Sequence, residues 1–124
     1  MKIFQASPAQ VVELIPAMPL DERGALVSAI KISTPLLVGM DTEPRFLVGF
    51  IPLTMISEEA YLWMWPKAME QKTSFGRHSI DIIQRGLEAY TSLRGHCFTA
   101  SARRWLQWLG AEIYGTEFIF RRPA

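Results

Sequence analysis

The sequence predicts a single α/β domain built on a mixed central β-sheet flanked by helices. Three observations predict it. Strand-like and helix-like segments follow one another in the order β-α-α-β-β-β-α-β-α-β, which calls for a sheet with helices on its faces. The segment Glu59-Ala60-Tyr61-Leu62-Trp63-Met64-Trp65 is almost continuously apolar, as a strand covered on both faces would be. The stretch from Thr99 to Gly115 joins a short amphipathic helix, a glycine stop and a strand.

Each element has a local reason. Lys2 to Ala6 fits a first strand. Ser7-Pro8-Ala9-Gln10 opens a helix, with Ser7 as cap, Pro8 in the first turn and Gln10 completing a capping box. Pro16 ends or kinks that helix early. Asp21-Glu22-Arg23 starts a second helix with its acids at the favourable end of the dipole and with Leu26, Val27 and Ile30 inward. Leu36–Met40 and Arg45–Ile51, separated by Asp41-Thr42-Glu43-Pro44, read as a hairpin. Pro66 to Gly76 reads as a polar connection and Arg77 to Thr91 as the longest helix, with Ile80, Ile83, Leu87 and Tyr90 inward. Asp81 and Arg85 stand one turn apart on its outer face, and Gly86 marks either close packing or a weak spot. Arg94 to Phe98 is a short strand, Ser101 to Leu109 a helix capped by Gly110, and Glu112 to Arg121 one last strand or two joined near Gly115.

Composition narrows the function. The 124 residues suit one domain, and a hydrophobic fraction of 49% is enough for a core. A formal net charge of +1 gives no overall basic field for nucleic acid, although five Arg and two Glu lie between Arg94 and Arg122. Cys97 is the single cysteine, so no internal disulfide forms. No apolar run reaches the roughly 20 residues of a membrane helix. The start, Met-Lys-Ile-Phe-Gln, lacks the apolar core of a signal peptide.

A few side chains carry chemistry. In the terminal helix Ala102, Trp105, Leu106 and Leu109 share one side, Arg103, Arg104 and Gln107 the other, and Trp108 sits at the edge, as core or as partner surface. His96 and Cys97 are neighbours in a strand, so they point to opposite faces and do not make a nucleophile–base pair. Two histidines and one cysteine without ligand spacing give no zinc site, and no metal is expected. Glu58 and Glu59 are candidates for a general base. Lys67, Lys72 and Arg77 cluster beside a helix start and could hold phosphate oxygens.

The pattern as a whole resembles the Gcn5-related N-acetyltransferase (GNAT) family, whose elements follow the same order. That family's late helix carries Asn-x-x-Ala-x-x-Leu-Tyr and then a Gly-Phe; here the run is Thr99-x-x-Ala102-x-x-Trp105-Leu106, followed by Gln107-Trp108-Leu109-Gly110-Ala111. The resemblance implies one acyl-CoA N-acyltransferase-like domain over 1–124. It implies acetyl-CoA as co-substrate if the protein is an enzyme, seated on the strand at Leu62 and Trp63 with its phosphates toward Lys67, Lys72, Gly76 and Arg77. Two positions depart from the family. Thr99 replaces its Asn, and Leu106 replaces the Tyr that reprotonates the departing thiolate, leaving Tyr61 or Tyr114 as substitute acids. The segment Pro66 to Arg77 has one glycine where the family's phosphate loop has more.

A narrower resemblance is to the acetyltransferase-like proteins of tailed bacteriophages, carried by Phe50, Leu62-Trp63-Met64-Trp65, the basic connection and Arg104-Trp105-Leu106-x-x-Leu109-Gly110-Ala111. It implies a phage source, a place in the host cytoplasm or on the virion, and a protein partner that is a virion component or a host protein, with a homo-oligomer also open. On the two departures, an interaction or assembly role without catalysis stands first, and acyl transfer to a primary amine is the alternative.

Overall fold

The computed structural model describes residues 2–53, 58–67 and 71–123, with the backbone alone over 71–76. The strands are β1 (Lys2–Gln5), β2 (Leu36–Met40), β3 (Pro44–Pro52), β4 (Glu59–Pro66), β5 (Ser92–His96), β6 (Glu112–Tyr114) and β7 (Glu117–Arg121). The helices are α1 (Pro8–Leu14), which runs into a short 3-10 turn over Ile15–Ala17, then α2 (Leu20–Ile32), α3 (Gln71–Ala89) and α4 (Ala100–Trp108). All seven strands form one sheet in the order β1-β2-β3-β4-β5-β7-β6. Every pairing is antiparallel except β4 with β5. The mixed sheet flanked by helices is the architecture expected from the sequence.

The sheet divides the core. On one face Leu14, Met18, Val38, Leu47 and Trp65 bury together with Leu26 and Ile30, under α1 and α2. On the other, Phe46, Val48, Phe50, Leu62, Leu93, Phe118 and Phe120 pack with Ile82 of α3 and Leu106 of α4. The alternation of β3, with Phe46, Val48 and Phe50 on one side and Leu47 on the other, is what a strand with both faces covered requires.

Local chemistry sets the ends. Ser7 Oγ accepts from the Gln10 amide at 3.3 Å while Gln10 Oε1 accepts from the Ser7 amide at 2.8 Å, so the capping box forms. The break at Pro16 appears as the 3-10 turn. Thr99 caps α4 by accepting from the Ala102 amide at 3.1 Å. The helix closes with the Ala111 amide on the Leu106 carbonyl and the Gly110 amide on the Gln107 carbonyl, both 3.0 Å, a Schellman pattern with Gly110 at φ 103°. Glu112 to Arg121 is two strands, turned at Gly115 (φ 64°).

The longest helix corrects the sequence reading. It begins at Gln71, six residues before Arg77, so Lys72, Gly76 and Arg77 are helical and not part of a loop. Ile80 is exposed, and the inward face runs through Ser79, Ile82 and Gly86. The helix is turned this way because Gly86 lies against the sheet: a Cβ there would come within 2.4 Å of the Phe50 ring and 2.7 Å of Leu93. Gly86 therefore marks close packing. At the far end Arg122 donates to the carbonyls of Leu87 (2.7 Å), Glu88 (3.2 Å) and Tyr90 (3.1 Å), placing a cation at the negative end of the helix.

A slot between two splayed strands as the candidate active site

The two parallel strands are joined at one end only. Pairing runs Glu59↔Ser92, Ala60↔Leu93, Tyr61↔Arg94, and stops. Beyond that point β4 follows β3 through to Phe46↔Pro66, while β5 follows β7 to His96↔Glu117. Each strand is loyal to its outer neighbour, so the pair opens like a V. The closed end is pinned by the Glu58 carbonyl, which accepts from the Thr91 amide (2.8 Å), the Ser92 amide (3.1 Å) and the Thr91 hydroxyl (2.6 Å).

The opening is a cavity of about 360 Å³. From the α3–α4 side it is walled by Leu62, Met64, Ile83, Ala102, Leu106 and Phe118. From the α1–α2 side it is reached by Tyr61, Trp63 and His96. Odd and even residues of β4 point to opposite faces, so the cavity at the gap is bordered by side chains of both faces. The volume falls within the range of small-molecule sites, and the wall is apolar with few polar groups, as such sites are. A second apolar groove, about 370 Å³, lies between α1 and α2 along Val11, Val12, Val27 and Ile30.

The tryptophans of β4 do not fill the slot. Trp65 is buried on the α1–α2 face. Trp63 lies across Gly49, where a Cβ would come within 2.2 Å of the indole nitrogen, and that nitrogen donates to Ser33 Oγ at 2.8 Å. Gly49 and Ser33 together hold the large ring against the α2 side of the slot.

The polar edge of the slot is aromatic. Tyr61 Oη and His96 Nδ1 are 2.8 Å apart, and His96 Nε2 faces Glu117 Oε1 at 3.7 Å. Burial and then the Glu117 carboxylate push the Tyr61 phenol above its ordinary range, so it stays protonated at neutral pH. The Phe98 ring stacks on His96 with centroids 6.0 Å apart and is 77% exposed.

The candidates named from the sequence divide by place. Tyr61, Leu62 and Trp63 line the slot. Glu58 is exposed at the closed end, and the Glu59 carboxylate is ion-paired with Arg94 beside it; neither lines the slot. Tyr114 is on β6, at the sheet edge, with its hydroxyl on Glu112 at 2.8 Å. Lys67 Nζ is 3.3 Å from Glu43, and Arg77 is exposed on α3. The side chain of Lys72 and the surroundings of Gly76 lie outside the described residues. Leu106 is 9% exposed and is part of the slot wall, where it offers no proton.

Sequence reasoning placed His96 and Cys97 on opposite faces, and they are: Cys97 is buried in the α3–α4 core while His96 reaches the slot. It missed that Tyr61, His96 and Glu117 would meet. The signal was parity, since Glu59 and Tyr61 on one strand match Arg94 and His96 on the next. Finding it required knowing that β5 lies between β4 and β7. Among the described residues no group of three or more His, Cys, Asp or Glu is arranged to hold a metal, and no helix is long and apolar enough to cross a membrane.

The sequence matches no family model and none of the curated proteins compared with it. The structure matches solved acetyltransferases over nearly its whole length. An aminoglycoside 6'-acetyltransferase type Ii is similar with a TM-score of 0.75 and 14% identity, over 99% of this chain and 100% of that one. A ribosomal-protein-alanine N-acetyltransferase from Brucella melitensis gives 0.73 and 12%, over 98% and 100%. A GNAT family acetyltransferase from the same organism, in complex with acetyl-CoA, gives 0.72 and 15%, over 99% and 88%. The fold is therefore that of the Gcn5-related N-acetyltransferases.

Proposed function

We propose that the protein is an acyl-CoA-dependent N-acyltransferase, which moves an acyl group from the thioester of coenzyme A to a primary amine. The observation that carries this reading is the slot between β4 and β5. Direct transfer needs two reactants on one line, approaching from opposite sides of a shared point. A gap between two splayed strands, bordered by side chains of both faces, offers that arrangement.

The donor side follows from the backbone. Beyond Tyr61 the edge of β4 that faces β5 has no strand partner among the described residues. Backbone N–H and C=O groups on such an edge are obligatory hydrogen-bonding groups and pair with an extended chain when one is offered. The pantetheine arm of coenzyme A is an extended chain with amide groups, and the apolar wall of Leu62, Met64 and Phe118 suits its methylenes. The thioester would lie near Tyr61 at the apex of the V. One of the similar structures holds acetyl-CoA, which supports acetyl as the acyl group. Of the basic residues described, Lys67 is engaged with Glu43 and Arg77 is exposed, so Arg77 is the freer of the two to meet the phosphates.

The reading that placed a phage-assembly or interaction role first draws no support from these relatives. An interaction surface has one observation in its favour, Trp108 at 76% exposure on α4, and that surface is compatible with a working slot. Calorimetric titration of the purified protein with acetyl-CoA tests the proposal. Saturable one-to-one binding is expected. Absence of binding at millimolar ligand overturns it and returns the cofactor-free interaction reading to first place.

A further inference from the structure

We propose that Tyr61, His96 and Glu117 form one proton relay that serves both halves of the transfer, with Tyr61 as the catalytic residue and His96 and Glu117 as the residues that position it. This rests on the transferase reading above. Three registers build the relay. Tyr61 lies opposite Arg94 on β5, so His96, two residues on, shares its face as a diagonal neighbour. Glu117 lies directly opposite His96 on β7. Tyr61 and His96 line the slot, and Glu117 stands behind them.

The direction of the Tyr61–His96 hydrogen bond follows from the charge beside it. His96 Nε2 faces the Glu117 carboxylate at 3.7 Å, too far for a hydrogen bond but close enough for the negative charge to favour the proton on that nitrogen. Nδ1 is then the lone-pair nitrogen, and the Tyr61 hydroxyl, 2.8 Å away, donates to it. The phenolic oxygen keeps lone pairs free toward the slot. Nearby on this face Glu59 is ion-paired with Arg94 and Glu112 with Arg121, and Arg94 also feels the Glu117 carboxylate.

The chemistry balances. A neutral amine attacks the thioester carbonyl and a C–N bond forms. The surplus proton on nitrogen passes to Tyr61 Oη as the Tyr61 proton passes to His96 Nδ1, and the imidazolium is stabilised by Glu117. The C–S bond then breaks with its electron pair on sulfur. The proton on Nδ1 returns to Tyr61 as Tyr61 gives its own to the thiolate. The products are an amide and a free thiol, and the relay is back in its first state. One relay does both tasks, which fits a slot whose Leu106 has no proton to give.

The test uses acetyl-CoA with hydroxylamine, a small nucleophile that needs no acceptor pocket, and follows thiol release above the uncatalysed rate at about pH 8, where the nucleophile is neutral, alongside calorimetry with acetyl-CoA. Tyr61→Phe and His96→Gln should each lose about 10²–10⁴-fold while still binding acetyl-CoA, the range of lost acid–base catalysis. Glu117→Gln should lower the rate while leaving acetyl-CoA binding intact, and Glu117→Asp should restore it. Nitrogen spectra of the labelled imidazole should show the Nε2–H tautomer in the wild type. A variant set that binds acetyl-CoA and turns over at the wild-type rate overturns the relay alone. Binding without turnover in the wild type overturns the relay as a catalytic device. Failure to bind acetyl-CoA overturns the transferase reading itself.

Discussion

The indole nitrogen of Trp63 donates to Ser33 Oγ at 2.8 Å, and Ser33 in turn donates to the Ala29 carbonyl at 2.7 Å. This chain ties a central strand to the end of α2. It fixes the Trp63 ring beside the slot in a position where it forms a wall and not a plug. Replacing Ser33 by alanine leaves a half-buried N–H without its acceptor. The expected cost is about 1–3 kcal/mol in urea unfolding, the penalty of an unsatisfied polar group. An unchanged midpoint would show that the indole does not depend on this bond.

Filling the slot should abolish donor binding without unfolding the protein. Ala102 lines the cavity from α4 and is half-buried. Ala102→Phe places a ring in space now open. Affinity for acetyl-CoA should fall at least about tenfold, a loss equal to roughly 1.4 kcal/mol. The circular dichroism spectrum should be retained, with a stability loss of about 1–3 kcal/mol from overpacking. Binding that survives this substitution would place the ligand elsewhere.

Gly86 gives a test of the close approach between α3 and the sheet. Alanine in a helix interior is intrinsically favoured over glycine by about 1 kcal/mol. Here its Cβ would meet the Phe50 ring at 2.4 Å and Leu93 at 2.7 Å. The clash should win, and Gly86→Ala should lower the unfolding midpoint. A rise in stability would mean that helix and sheet are further apart than described.

The sequence made the architecture legible because its strongest signals are local. Capping at Ser7, the stop at Gly110 and the unbroken apolar run of β4 each follow from a few adjacent residues. Gly86 could be read only as one of two things until Phe50 was placed beneath it. The face of α3 was misread at Ile80 for the same reason: the choice between neighbouring faces of an amphipathic helix is made by what packs against it. The site was less legible. The family resemblance names Tyr61, Leu62 and Trp63, and those three line the slot. The meeting of Tyr61, His96 and Glu117 depends on three strands lying side by side out of chain order, and no spacing within the sequence encodes that.

The sheet edge predicts an acid dependence of stability. The Glu112 carboxyl is held below its ordinary range first by the Tyr114 hydroxyl and then by Arg121. A lowered folded-state value means that the stabilisation is fully present above the unfolded carboxylate range. It is lost as pH falls through the folded value. Melting temperature measured from pH 6 to pH 3 should therefore fall more steeply in the wild type than in Glu112→Gln, and the two should converge at the acid end. Parallel curves would contradict the pairing. The effect will be small, because the group is exposed and screened by solvent.

The central claim is that the slot between β4 and β5 receives the acyl donor. Methyl-resolved NMR during titration with acetyl-CoA tests it most directly. The account predicts saturable shifts at Met64, Ile83, Ala102 and Leu106, which wall the slot, with none at Val12 and Val27 in the groove between α1 and α2. Shifts confined to Val12 and Val27, or no shifts at millimolar acetyl-CoA, would contradict it.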